Sequence, residues 1–134
     1  SILAVVLIGP LVALSNWGMA KMEDKAISGA PEPWAAKMQL RLAGIYGMTL
    51  RRRQQRGAFE KFLKYFPQHP RRGYAKYMIA VCMERDHDCS RVQTAQVYKD
   101  FLWEYADDPQ FQTNPEWREL VEEAERAVRR LGYN

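Results

Sequence analysis

Cys82 and Cys89 stand seven residues apart with His87 between them, and no other group in the chain is better suited to covalent or metal chemistry. One cysteine falls late in a predicted helix and the other in the loop that follows. A disulfide closing that loop is natural if the domain lies outside the cytoplasm. Loop entropy for so short a ring gives about 2–3 kcal/mol. In a reducing compartment the pair stands as two free thiols, and the residues leave both states open. A Cys/His metal site would need a fourth ligand, and the spacing matches no zinc pattern. No CxxCH run is present, which excludes c-type haem attachment. His69 sits among the turn residues between Pro67 and Pro70, as a surface-loop histidine would. Asp107 and Asp108 are adjacent carboxylates, but acids that end a helix before a proline are common. No serine, histidine and acid set stands out, and there is no Gly-rich phosphate loop and no HExxH. The chain therefore reads as no enzyme, and no metal or cofactor is expected.

The remaining chemistry is charge. The 134 residues carry a net charge of +4, from 20 basic and 16 acidic groups. That balance permits contact with anionic lipid or an acidic partner and does not call for nucleic acid. Arg51, Arg52 and Arg53 form a run with Arg56 close behind. These arginines fall in the first turns of a predicted helix, where they oppose the macrodipole by a few tenths of a kcal/mol. The mismatch favours an outward use against lipid phosphate or a partner carboxylate. Tyr65 and Trp103 lie off the apolar stripes of their helices and are further candidates for partner contacts, since exposed aromatics beside cations anchor interfaces.

The elements that carry these groups repeat. Ala58-Phe59-Glu60-Lys61-Phe62-Leu63-Lys64-Tyr65-Phe66-Pro67-Gln68-His69-Pro70 is matched 39 positions later by Val97-Tyr98-Lys99-Asp100-Phe101-Leu102-Trp103-Glu104-Tyr105-Ala106-Asp107-Asp108-Pro109. The paired positions are Phe59/Tyr98, Phe62/Phe101, Leu63/Leu102, Phe66/Tyr105 and Pro70/Pro109. A period of roughly 30 to 50 residues with helical spacing inside it signals stacked helical hairpins. Such arrays bury one pair against the next and offer an extended surface to a partner.

A helix is predicted from Trp34, with Met38, Leu42, Ile45 and Tyr46 on its buried face, Ala35 and Ala36 behind, and a break near Gly47-Met48. Gly44 and Gly47 thin it so that a neighbour can approach. The next runs from about Leu50 to Phe66, with Phe59, Phe62, Leu63 and Phe66 inward. A third starts near Arg71 or Arg72 and runs to about Arg85, with Tyr74, Tyr77, Met78, Val81 and Cys82 as its apolar face. Ser90 is placed to cap a fourth, Arg91 to Ala106. Residues 107–115 read as a loop. Asn114-Pro115-Glu116 opens a last helix, which Gly132 ends. No stretch alternates with period two, so no sheet is expected.

Ile2 to Leu14 carries no charged or polar side chain, and about 19 residues precede Lys21. At about 1.5 Å per residue such a helix nearly crosses a hydrocarbon core of roughly 30 Å. Ile2, Leu3, Val6, Leu7, Leu11 and Leu14 would face lipid, Trp17 would sit at the interface, and Gly9-Pro10 would kink the span. The competing readings are a signal-peptide core, with Ala13-Leu14-Ser15 resembling a cleavage site, and a buried soluble helix. The organisation expected is a membrane anchor over 1–20, a linker over 21–33 and a helical repeat domain over 34–134. The fold class is all-α.

The segment 58–84, with its Phe-Leu-Lys-Tyr-Phe-Pro end and the following Tyr74-Ala75-Lys76-Tyr77-Met78-Ile79-Ala80-Val81-Cys82, resembles the tetratricopeptide-type repeats of the BamD/YfiO outer-membrane assembly lipoproteins. The likeness covers residues 34–131. The chain departs from that family in having no cysteine before Cys82 to carry a lipid, and room for fewer repeats. The resemblance implies a helical-repeat adaptor in the cell envelope, with its repeat domain in the periplasm. The expected function is a non-catalytic, single-span accessory subunit that binds other subunits of a larger membrane complex, respiratory or photosynthetic assemblies being examples. The alternative is a BamD-like assembly factor that binds client chains.

Overall fold

The computed structural model describes residues 32–132, all-α, with six helices and no strand among the described residues. They are α1 (Glu32–Met48), α2 (Arg52–Tyr65), α3 (Arg72–Glu84), α4 (Arg91–Tyr105), α5 (Pro109–Thr113) and α6 (Pro115–Arg130). The expected anchor over 1–20 and most of the expected linker lie outside the described residues. No helix among the described residues is long and apolar enough to cross a membrane.

Each helix packs on its neighbour in sequence: α1 on α2, α2 on α3, α3 on α4, then α4 on α6 with α5 tucked beside it. Short turns return the chain, so successive helices run as hairpins. The packing is repeat-like, and the matched aromatics explain it. Phe59 and Phe62 of α2, and Tyr98 and Phe101 of α4, are all at most 2% exposed. One core joins α1, α2 and α3 through Ala35, Ala36, Tyr46, Phe59, Phe62 and Ala75. A second joins α3, α4, α5 and α6 through Ala80, Tyr98, Phe101, Phe111, Ala124 and Val128.

Helix α3 belongs to both cores. Tyr74, Met78 and Ile79 lean on the first, and Tyr77 and Val81 on the second. Its large side chains are therefore half-buried on two sides rather than fully buried on one. The fully covered positions are the small ones, Gly73, Ala75 and Ala80, together with Cys82. A Cβ on Gly73 would lie 2.6 Å from Phe111 Cζ, so this helix start is shaped to the ring.

Local signals fix the boundaries. Ser90 accepts from the Gln93 N–H at 3.0 Å, and Gln93 reaches back to the Ser90 N–H, a complete capping box. Asn114 caps α6 by accepting from the Glu116 N–H at 3.1 Å. Gly132 follows with φ +88. At the end of α1 the Arg51 N–H reaches the Tyr46 carbonyl at 2.9 Å and Leu50 takes φ 59. That left-handed cap usually belongs to glycine.

Three expectations need correction. Residues 107–115 are not simply a loop: Asp108 caps the one-turn helix α5 and places Phe111 in the core. Five residues are too few for periodicity to show. On α1 the buried face holds Gln39 and Ala43, while Ile45 is 43% exposed. Gln39 Nε2 donates to the Ala58 carbonyl at 2.9 Å, a polar bridge that an apolar pattern cannot reveal. Gly44 faces open space, and only Gly47 admits a neighbour, the Gln55 amide.

Candidate functional site

The arginines at the start of α2 face the loop between α3 and α4. Arg53 pairs with Asp86 at 3.3 Å and with Asp88. Arg56 donates to Cys89 Sγ at 3.0 Å and lies 3.4 Å from Glu60. Arg52 donates to Gln55 Oε1 at 3.3 Å. Arg53 and Arg56 thus fasten α2 to the 86–89 loop, while Arg52 bonds within its own helix. Arg53 remains 63% exposed on its solvent side. The sequence pointed to these arginines but not to Asp86 and Asp88, which sit 33 and 35 positions away.

Cys82 and Cys89 are free thiols in this structure. Cys82 is buried and donates to Gln55 Oε1 at 3.3 Å. Burial pushes its thiol up to about 11, against the weaker pull of Arg52. Cys89 is half-buried in a hollow lined also by Arg53, Arg56, Met83 and Asp86. His87 is exposed. Among the described residues no three of His, Cys, Asp and Glu are grouped to hold a metal ion. His69 packs edge-on against Phe62 at 5.1 Å, and its Nδ1 accepts from the Arg71 N–H at 3.0 Å, so it shapes the turn before α3.

Two carboxylates act as struts. Glu84 of α3 accepts from both Arg130 of α6, at 2.8 and 2.9 Å, and the Tyr98 hydroxyl of α4, at 2.9 Å. The Arg130 hydrogen bond holds its carboxyl below the usual range, and desolvation opposes without prevailing. Glu104 of α4 pairs with Arg72 and Lys76 of α3. Desolvation pushes its carboxyl up, but the two cations outweigh it and hold it low.

Exposed apolar groups mark the surface. Trp103 is 92% exposed, on the outward side of the helix that buries Phe101. Tyr65, at the end of α2, is 47% exposed, with Lys64 Nζ 5.4 Å from its ring centre. Met48 and Leu50 stand out on the α1–α2 turn, and Trp34 on α1. Sequence reasoning named Trp103 and Tyr65 and missed Met48, Leu50 and Ile45, which it assigned to helix interiors or left aside.

A separate groove lies between α1 and the start of α3. Lys37, Leu40, Arg41, His69, Arg71 and Tyr74 line it, and the Arg71 guanidinium sits 5.0 Å from the Tyr74 ring centre. The groove belongs to a strongly basic half of the domain. Between residues 33 and 83 the only acid is Glu60, against eleven lysines and arginines. Between 84 and 132 twelve acids face seven.

No protein-family model matches this chain, and neither a curated protein nor a solved structure matches it.

Proposed function

We propose that this chain is a membrane-anchored, non-catalytic helical-repeat scaffold, an accessory subunit of a larger membrane complex. The observation that carries the reading is Trp103. An indole that is 92% exposed on a well-packed helix forfeits the burial available to so large an apolar group. Exposed aromatics of this kind become anchors once a partner covers them. The neighbour-on-neighbour stacking of the helices supports the reading further, because such arrays leave long outer faces for other chains. The struts at Glu84 and Glu104 support it from the chemical side. Their ionised carboxylates are held in ion pairs that join helices, an architectural use rather than an acid–base one. The apolar stretch from Ile2 to Leu14 would supply the anchor. The likeness to the BamD/YfiO repeats is consistent with an envelope adaptor and stands as part of the same proposal.

Solubilising native membranes in mild detergent, then fractionating by native size with mass spectrometry, tests this directly. Co-migration with a stoichiometric integral-membrane complex is the expected result. A small free species, or one that travels with a changing set of client chains, would replace the accessory-subunit reading with the assembly-factor one.

A further inference from the structure

We propose that the groove between α1 and the start of α3 is the docking site for an acidic segment of a partner protein that also carries apolar side chains. The proposal rests on the scaffold reading and names the chemistry of one partner contact. Lys37, Arg41 and Arg71 are exposed, and among the described residues none of the three has an ion-pair partner. Elsewhere the cations of this domain are more often answered: Arg53, Arg56, Arg72, Lys76, Arg126 and Arg130 all reach carboxylates. Three cations lining one groove, with no carboxylate against them among the described residues, suit a carboxylate-bearing ligand.

The shape narrows the ligand. Lys37 and Arg41 are one helical turn apart, so their Cβ atoms lie about 6 Å from each other along α1. Arg71 faces them from the other wall, stacked on Tyr74. Cations strung along a groove suit several carboxylates in a row, whereas a lone phosphate would be served by donors converging on one centre. Leu40 and Tyr74, both half-buried, give the groove an apolar part. His69, whose Nδ1 accepts from the Arg71 N–H, adds a polar side chain to the lining. Trp34 shares the face of Lys37 and Arg41 at i, i+3, i+7 spacing and extends the apolar surface at one end. An acidic stretch with interspersed leucines matches both the cations and the floor. A purely anionic ligand matches only the cations.

The test uses the full chain in neutral detergent and a short fluorescent peptide of alternating Glu and Leu, read by anisotropy. The expected result is saturable binding that weakens as salt rises and is lost when Gln replaces Glu in the peptide. The double variant Lys37→Gln/Arg41→Gln should bind about tenfold more weakly, the size expected for two exposed charge pairs. Arg71→Gln should act in the same direction, and Arg129→Gln, an exposed cation on α6 outside the groove, should leave binding unchanged. All of these side chains are largely exposed, and a helical spectrum identical to the parent confirms that each variant folds. Equal binding by parent and double variant would overturn the proposal. So would displacement of the peptide by inorganic phosphate or by mixed micelles of an anionic phospholipid at concentrations below those at which free peptide competes. Concentration-dependent self-association that vanishes in the double variant would also overturn it, by making a second copy the occupant. Failure of the groove alone leaves the parent's co-migration with a membrane complex intact, whereas failure of the scaffold reading removes that co-migration.

Discussion

Phe101 and Trp103 sit two residues apart on α4 and meet opposite surroundings. Phe101 is fully buried against Tyr77, Tyr105 and Phe111, and Trp103 is almost wholly in water. Truncating a buried aromatic leaves a cavity, so Phe101→Ala should lower the unfolding free energy by about 3–5 kcal/mol. Trp103→Ala should change it by no more than about 0.5 kcal/mol. Denaturant unfolding of both variants separates the two, and a large loss at Trp103 would mean that the indole serves the fold. The fate of both residues could be read in the sequence. Phe101 lies on the i, i+3, i+4, i+7 stripe and Trp103 falls off it. Ile45 misled the same logic, because α1 is apolar on several sides and its contact with α2 runs through Gln39 and alanines. The partners of Arg53 were equally invisible, since nothing local joins position 53 to 86.

At the scale of elements, helices and their ends were legible where side chains cap them, as at Ser90 and Asn114. Helix α5 was hidden because a single turn has no period, although Asp108-Pro109 carried a cap-and-proline signal. The turn after α1 holds Leu50 at φ 59 with its side chain 75% exposed. A left-handed leucine costs about 1–2 kcal/mol that glycine avoids, partly offset by glycine's freedom in the unfolded chain. Leu50→Gly should therefore raise stability by about 0.5–1 kcal/mol, seen as a higher thermal midpoint. A lower midpoint would show that the exposed side chain packs more than its surface suggests. Glu84 ties three helices together, and its pH behaviour follows from its lowered carboxyl value. A group depressed in the folded state adds stability above its ordinary value near 4.5 and loses it as pH falls through the folded one. Glu84→Gln should cost about 1 kcal/mol at neutral pH, with the difference shrinking in acid. An unfolding-versus-pH curve whose gap between parent and variant stays constant would contradict the strut.

Over the whole molecule, the repeat was the most legible feature. Of the aromatics paired across 39 positions, Phe59/Tyr98 and Phe62/Phe101 occupy equivalent buried sites in α2 and α4, while Phe66 is buried just past the end of α2 and Tyr105 is half-buried. What the repeat did not show is that α3 serves two cores and so keeps its large side chains half-buried. The division of charge was present in the sequence but masked by the modest total, since the acidic half offsets part of the basic one. Such a division gives the domain two electrostatically distinct surfaces, the basic one holding the groove of Lys37, Arg41 and Arg71. An accessory subunit that bridges unlike neighbours would use both. The central claim is that the outward face of α4 is held by another chain of a membrane complex. Native-size fractionation of solubilised membranes carrying either the parent or the Trp103→Ala chain measures this most directly. The account predicts that the parent travels with a stoichiometric integral-membrane complex and that the variant, folded and equally abundant, is released from it. Equal retention of the variant, or a parent that runs free, would contradict it.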